Sequence, residues 1–164
     1  MESFPASLSA QEAQAHYLHR AGQRDAALAI WTRLAKSAAL EDLLRITQAL
    51  QARQESRTAL DLLAPRERDF AQEPRFYALL VQLGIANKEV ERALPWARTR
   101  LRLAQDADSI ETAVTDILLV LRSDEAGKLS TPMLQELQRQ AAPTIQSRCL
   151  LAALLLTAGK NDDA

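Results

Sequence analysis

Glycine and proline are scarce, at 4 and 6 of 164 residues, and β-branched residues are few beside Ala, Leu, Gln, Arg and Glu. Summed propensity therefore favours helix along nearly the whole chain and argues against strands. Cysteine is almost missing. Cys149 stands alone and cannot close an intramolecular disulfide, which removes one positive sign of secretion and leaves the compartment open. Net charge is missing as well: 20 basic and 21 acidic residues give a formal charge of −1, so no overall field draws nucleic acid or anionic lipid, and nucleic acid is set aside as a partner. No apolar run is long enough to cross a bilayer, since the longest, residues 149–158, is about half of the roughly 20 residues a membrane helix needs. The N-terminal "MESFPASLSAQ" lacks the basic region and apolar core of a signal peptide. In a piece of a longer protein that absence would not locate the whole.

What is present is the composition of a folded chain, 48% hydrophobic and 25% charged, long enough for one ordinary domain. Apolar residues recur at helical spacing in blocks of three or four turns, with turn chemistry between them. The blocks pair into hairpins. Leu8 to Arg20 and Asp25 to Lys36 flank Ala21-Gly22-Gln23, where Gly22 can take the positive φ that ends a helix and Asp25 can cap the next. A second pair runs from Leu40 to Ala52 and from Ser56 to Ala64, stopped by Pro65. A third runs from Pro74, in the first helical turn, to Ala86, and from Lys88 to Ala104 with Asn87 as cap and Pro95 expected to kink or shorten it. In the fourth, Ser109 to Leu121 carries the stripe Ile110, Ala113, Val114, Ile117, Leu118 and Leu121, and its partner starts at Ser130 or Thr131. A fifth opens at Pro143 and carries Leu150, Leu151, Leu154 and Leu155 to Gly159.

The last segment, "LTAGKNDDA", repeats a phrase met near the start, "LHRAGQRDAA". Setting Gly159 on Gly22 puts Leu155 on Leu18, Asp162 on Asp25 and Ala164 on Ala27, a displacement of about four periods of about 34 residues. Ala59 and Ala93 fall near the intermediate registers. The repeats span about 8–38, 40–72, 74–106, 108–141 and an incomplete 143–164.

Leu18, Gly22, Ala27, Trp31 and Leu34 together resemble the tetratricopeptide repeat family, whose hairpins place an apolar residue before the turn glycine and an alanine, a large aromatic and a small or apolar residue after it. The resemblance covers most of the chain; the third repeat departs from it with Lys88 at the glycine position, and the fourth with the long connection "RSDEAGKLSTP". It implies an all-α, right-handed superhelical solenoid of antiparallel helix pairs, about four and a half repeats long, stabilised by stacking of neighbours. Such arrays close with a polar capping helix, and none is visible after Leu156, so the chain is expected to be a fragment of a longer array. The uncovered end offers a route to dimers.

No glycine-rich phosphate loop, Gly-x-Ser-x-Gly elbow or His-Glu-x-x-His stretch occurs, so no catalytic residue, metal or cofactor is assigned and the chain is read as a non-enzyme. His16 and His19 are neighbours on one helix surface. A zinc site would need a third ligand, and a solvated or groove-lining pair is preferred. Cys149 is expected to be a small buried hydrophobe. Arg98 and Arg102 share a helix face while Arg100 points away, which suits a solvated face better than a nucleic-acid stripe. Tyr17, Trp31 and Tyr77 are expected in the core.

The resemblance also implies a concave surface lined by the first helix of each pair. Glu12, His16, His19 and Arg20 from the first repeat, Gln48 and Gln51 from the second and Gln82 from the third are its candidate partner-binding residues, suited to an extended peptide or partner helix. The functional expectation is a protein-binding scaffold. The Arg-rich, Lys-poor, Ala/Leu/Gln-heavy texture is similar to bacterial envelope proteins that fuse such repeats to an exopolysaccharide export barrel of the Pel type. That likeness implies a periplasmic location and a polymer-modifying enzyme as partner. Three rivals stand beside it: a surface guiding the polysaccharide itself, a cytoplasmic chaperone or regulator holding client peptides, and, ranked last, a catalytic role that would need residues supplied from outside this chain.

Overall fold

The computed structural model describes residues 7–123, 145, 148–150, 152 and 153. Among them the chain is helical, with no strand: α1 (Leu8–Arg20), α2 (Arg24–Ala35), α3 (Leu40–Gln51), α4 (Ser56–Leu63), a 3-10 turn (Ala64–Arg66), α5 (Pro74–Ala86), α6 (Val90–Leu103) and α7 (Ala107–Ser123). The fold divides into two compact units, Met1–Asp69 and Phe70–Ala164. In the first, α1 pairs with α2 and α3 with α4; in the second, α5 pairs with α6, and α7 packs on both.

Three hairpin turns follow the same backbone path. Gly22, Gln54 and Lys88 hold φ of 78°, 64° and 59°, the left-handed region that closes a helix. The residue after each donates its N–H to a carbonyl one turn back in the finished helix: Gln23 to Leu18 at 2.9 Å, Glu55 to Leu50 at 3.0 Å and Glu89 to Gly84 at 2.8 Å. Those same residues then open the next helix, their carbonyls accepting from Ala27, Ala59 and Ala93 at 3.1, 2.9 and 3.0 Å. All three alanines are wholly buried. So are Trp31, Leu63 and Ala97, one helical turn further on, and Ala15, Thr47 and Val81 on the first helices. The buried Thr47 hydroxyl costs nothing in lost hydrogen bonding because it donates to the Leu43 carbonyl at 2.7 Å.

These turns correct two expectations about capping. Lys88 cannot begin α6 because its backbone is left-handed; α6 starts at Val90 after Glu89. Asn87 instead closes α5, its Nδ2 donating to the Leu83 carbonyl at 2.8 Å. Likewise Asp25 lies in the first turn of α2 and Gln23 is the cap position. Its carboxylate still favours the positive end of the helix dipole.

Proline acts differently at two sites. Pro95 does not shorten α6, which runs on to Leu103. It is exposed, as is Glu91, so water can serve the Glu91 carbonyl that the missing N–H leaves unpaired. Pro65 does mark the end of α4, which stops at Leu63, and sits in the 3-10 turn that follows. Arg66 from that turn reaches back to the α2–α3 connection and donates to the carbonyls of Ala35, Lys36 and Ala38 at 2.7, 3.2 and 3.2 Å.

In the second unit α5 and α6 meet at Gly84. A Cβ there would lie 2.8 Å from Ala93 Cβ and 3.4 Å from Trp96 Cζ3. The helix backbones approach closely because that side chain is absent. α7 begins two residues before Ser109, after a reciprocal cap in which the Ser109 N–H donates to Asp106 Oδ1 at 2.8 Å and the Asp106 N–H to Ser109 Oγ at 3.2 Å. The bond from Ser109 holds the Asp106 carboxyl below its usual range. Ile110, Ala113, Val114, Ile117 and Leu121 are buried, joined by Val120, while Leu118 is half-buried.

Two residues expected in the core lie outside it. Tyr17 is 72% exposed, whereas Trp31 and Tyr77 are buried. Tyr17 falls between Ala15 and His19 on the helix, on the side away from α2. Cys149 is exposed beside buried Leu150, since consecutive helical residues point about a quarter-turn apart. The helix expected from Ser130 or Thr131, and Pro143, Leu151, Leu154, Leu155, Gly159, Asp162 and Ala164 of the fifth hairpin, lie outside the described residues.

Candidate functional site at the junction of the first two hairpins

The chemistry-bearing side chains of the first unit gather around Trp31. Ala15 and Ala27, both wholly buried, let α1 and α2 approach, and His16 and His19, one turn apart on α1, bracket the indole that α2 presents. Their rings lie 5.5 and 5.9 Å from it, the first edge-on at 73°. Trp31 is fully buried, and its Nε1–H donates to no described residue.

The end of α3 closes over this group. The Arg53 guanidinium lies 5.4 Å from the indole centroid, a cation–π arrangement. Its Nη1 donates to the Ala49 carbonyl and its Nη2 to His16 Nδ1, each at 2.6 Å. His16 Nδ1 must therefore be an unprotonated acceptor, which places the ring proton on Nε2. Burial and then the Arg53 charge hold the His16 pKa below its ordinary value, against the opposing pull of Glu12.

Two carboxylates flank the aromatic group, and both are held by arginines from a neighbouring hairpin. Glu12, buried on α1, accepts from Arg45 Nε at 3.1 Å and lies 3.0 Å from its Nη2; Arg45 also binds Asp42 at 2.9 Å. Glu55, 8% exposed, accepts both from Arg24 Nε and from Arg24 Nη2, the latter at 2.7 Å. These paired bonds are the fork geometry that suits guanidinium to carboxylate. The hydrogen bond from Arg24 draws the Glu55 carboxyl below its usual range and raises Arg24 in return. Arg45 is raised by its bond to Glu12. His19 Nε2 stands 4.0 Å from Glu55 Oε1.

Chemically this is an inter-hairpin clamp. Each carboxylate is committed to an arginine, so neither is arranged as a general base, and among the described residues no group of His, Cys, Asp and Glu is placed to hold a metal. Of the residues expected to face a partner, Glu12, His16 and His19 come together here: Glu12 is bound by Arg45 and His16 by Arg53, while His19 lays its ring against Trp31. Arg20 and Gln48 are exposed and Gln51 is half-buried, with Gln48 and Gln51 one turn apart on α3. Gln82 is exposed on α5 in the second unit.

Arg24, Arg45, Arg53 and Glu55 were not singled out by sequence. A signal for them existed: each bond of the clamp joins residues about one repeat apart, Arg24 to Glu55, Glu12 to Arg45 and His16 to Arg53. The second unit holds a similar bridge between its own helices, where Arg100 donates to buried Asp116, while Arg98 and Arg102 are exposed. Compared with protein-family models, curated proteins and solved structures, the chain matches none.

Proposed function

We propose that the chain is a tetratricopeptide-type scaffold that works by preorganised shape and recruits a protein partner without catalysing a reaction. The observation that carries this reading is the recurrence of one hairpin turn at Gly22, Gln54 and Lys88, about one repeat of roughly 34 residues apart, with the same buried positions on either side of it. Hairpins of this size bury their apolar faces only by stacking, which is the logic of a solenoid. A rigid scaffold lowers the ordering cost of binding.

In this reading the partner is met within the first unit by exposed Arg20 and Gln48 and half-buried Gln51, and within the second unit by exposed Gln82. The histidines belong to the frame behind them. The partner class follows the sequence likeness to exopolysaccharide export proteins: a polymer-modifying enzyme of the bacterial envelope. The test is capture from envelope and cytosolic fractions of the native cell by this chain and by a variant combining Arg20→Ala, Gln48→Ala, Gln51→Ala and Gln82→Ala. Capture of a polysaccharide-modifying enzyme by the parent and its loss in the variant support the proposal. Equal capture by both overturns the face, and capture of cytosolic clients alone overturns the partner class.

A further inference from the structure

The first hairpin junction is built around a histidine that must be neutral for its bonds to form. Arg53 touches three groups: the Ala49 carbonyl of its own α3, and the Trp31 ring and His16 Nδ1 of the α1–α2 hairpin. The last is the contact that a change of pH can cancel. Protonation fills the Nδ1 lone pair that accepts from Arg53 and sets an imidazolium against a guanidinium at hydrogen-bond distance, where like charges repel.

We propose that His16 and Arg53 form a pH-sensitive latch that fastens the α3–α4 turn onto the α1–α2 hairpin when His16 is neutral and releases it when His16 is protonated. This goes beyond the scaffold reading and does not rest on it. The charged groups facing His16 decide its direction. From its own helix come Glu12, His19 and Arg20; α2 presents the uncharged Trp31; the end of α3 presents Arg53. Glu12, the one carboxylate among them, is already bound by Arg45 and is poorly free to compensate a new positive charge. Glu55, across the turn, is bound by Arg24.

His19 faces a different group, and the geometry separates the two. Its Nε2 is 4.0 Å from Glu55 Oε1, whereas the Arg53 guanidinium bonds to His16 Nδ1. The latch is therefore a property of His16 alone. Its sign follows from its environment: burial and Arg53 lower the folded pKa, so the latched state dominates above the ordinary 6.5 and weakens as pH falls below it.

The readout is the nuclear magnetic resonance titration of the two histidine rings, together with hydrogen exchange of the Glu55 amide, which donates to Leu50 in the turn. The probes are the wild-type chain, His16→Asn, which keeps an acceptor that does not titrate, and His19→Gln. Expected are an Nε2-protonated His16 at neutral pH, a midpoint below 6.5, and Glu55 protection that falls as His16 protonates. That fall is lost in His16→Asn and kept in His19→Gln. A His16 midpoint above 6.5, an Nδ1-protonated tautomer, or Glu55 protection that falls equally in His16→Asn overturns the latch. The first two outcomes need only the wild-type chain, so a variant that fails to fold does not shield the proposal.

Discussion

Adding one methyl group at Gly84 is expected to destabilise the second unit, although alanine is the better helix former. A Cβ at this position would lie 2.8 Å from Ala93 Cβ, 3.3 Å from Ala93 Cα and 3.4 Å from Trp96 Cζ3. Carbon atoms prefer separations of about 3.5–4.0 Å, and the nearest obstacles are backbone and a backbone-attached carbon, which cannot rotate away. α5 and α6 must move apart. Such overpacking costs about 1–3 kcal/mol, while the exchange of glycine for alanine inside a helix returns about 0.8–1 kcal/mol. The balance is a loss of about 1 kcal/mol, read as a lower urea midpoint with an unchanged slope by circular dichroism. The companion variant Gly84→Ala with Ala93→Gly removes the offending methyl from the other side. It should be more stable than the two single changes added together. A Gly84→Ala protein with a raised midpoint would refute the close approach, because propensity alone would then account for it.

Trp31→Ala is expected to cost about 3–5 kcal/mol, the largest single loss in the first unit, measured by urea unfolding. It also removes the ring that His16, His19 and Arg53 share. Asp116→Ala leaves Arg100 without its buried partner and should cost about 3 kcal/mol, whereas Arg100→Met with Asp116→Leu should cost less than that single change; thermal unfolding of the three proteins decides it. For Glu55 the folded pKa lies below its ordinary 4.5, so its contribution is fully present above that value and is lost as pH falls through the folded pKa. The stability difference between wild type and Glu55→Gln should therefore shrink on acidification below 4.5. It should also shrink with added salt, since the Arg24 side chain is 60% exposed.

Much of the helical order was legible in the sequence because apolar spacing and turn residues agree. The borders of α1, α3 and α5 follow the pattern within a residue, and Gly22 announces its own turn. Gln54 was harder to read, since a left-handed glutamine has no compositional mark; only its distance from Gly22 points to it. Lys88 misled for the same reason, and with it Asn87. The site was less legible. Helical spacing places Glu12, His16 and His19 on one side of α1, but whether that side meets solvent or another hairpin depends on residues a whole repeat away. Arg45 and Arg53 settle that question, and nothing in their local sequence marks them as partners.

The recurrence of one turn is the claim on which the rest stands, and glycine scanning tests it directly. Gln54→Gly and Lys88→Gly each relieve a left-handed backbone that costs about 1–2 kcal/mol for a residue with a Cβ, less about 0.5–1 kcal/mol for the greater freedom of unfolded glycine. Gly22→Ala reverses the exchange at a site where a Cβ would touch nothing. Measured by urea unfolding, the account predicts that the first two changes stabilise by up to about 1.5 kcal/mol and the third destabilises by up to a similar amount. Glycine substitutions that destabilise at both 54 and 88 would contradict it, because those residues would then not share the backbone path of Gly22.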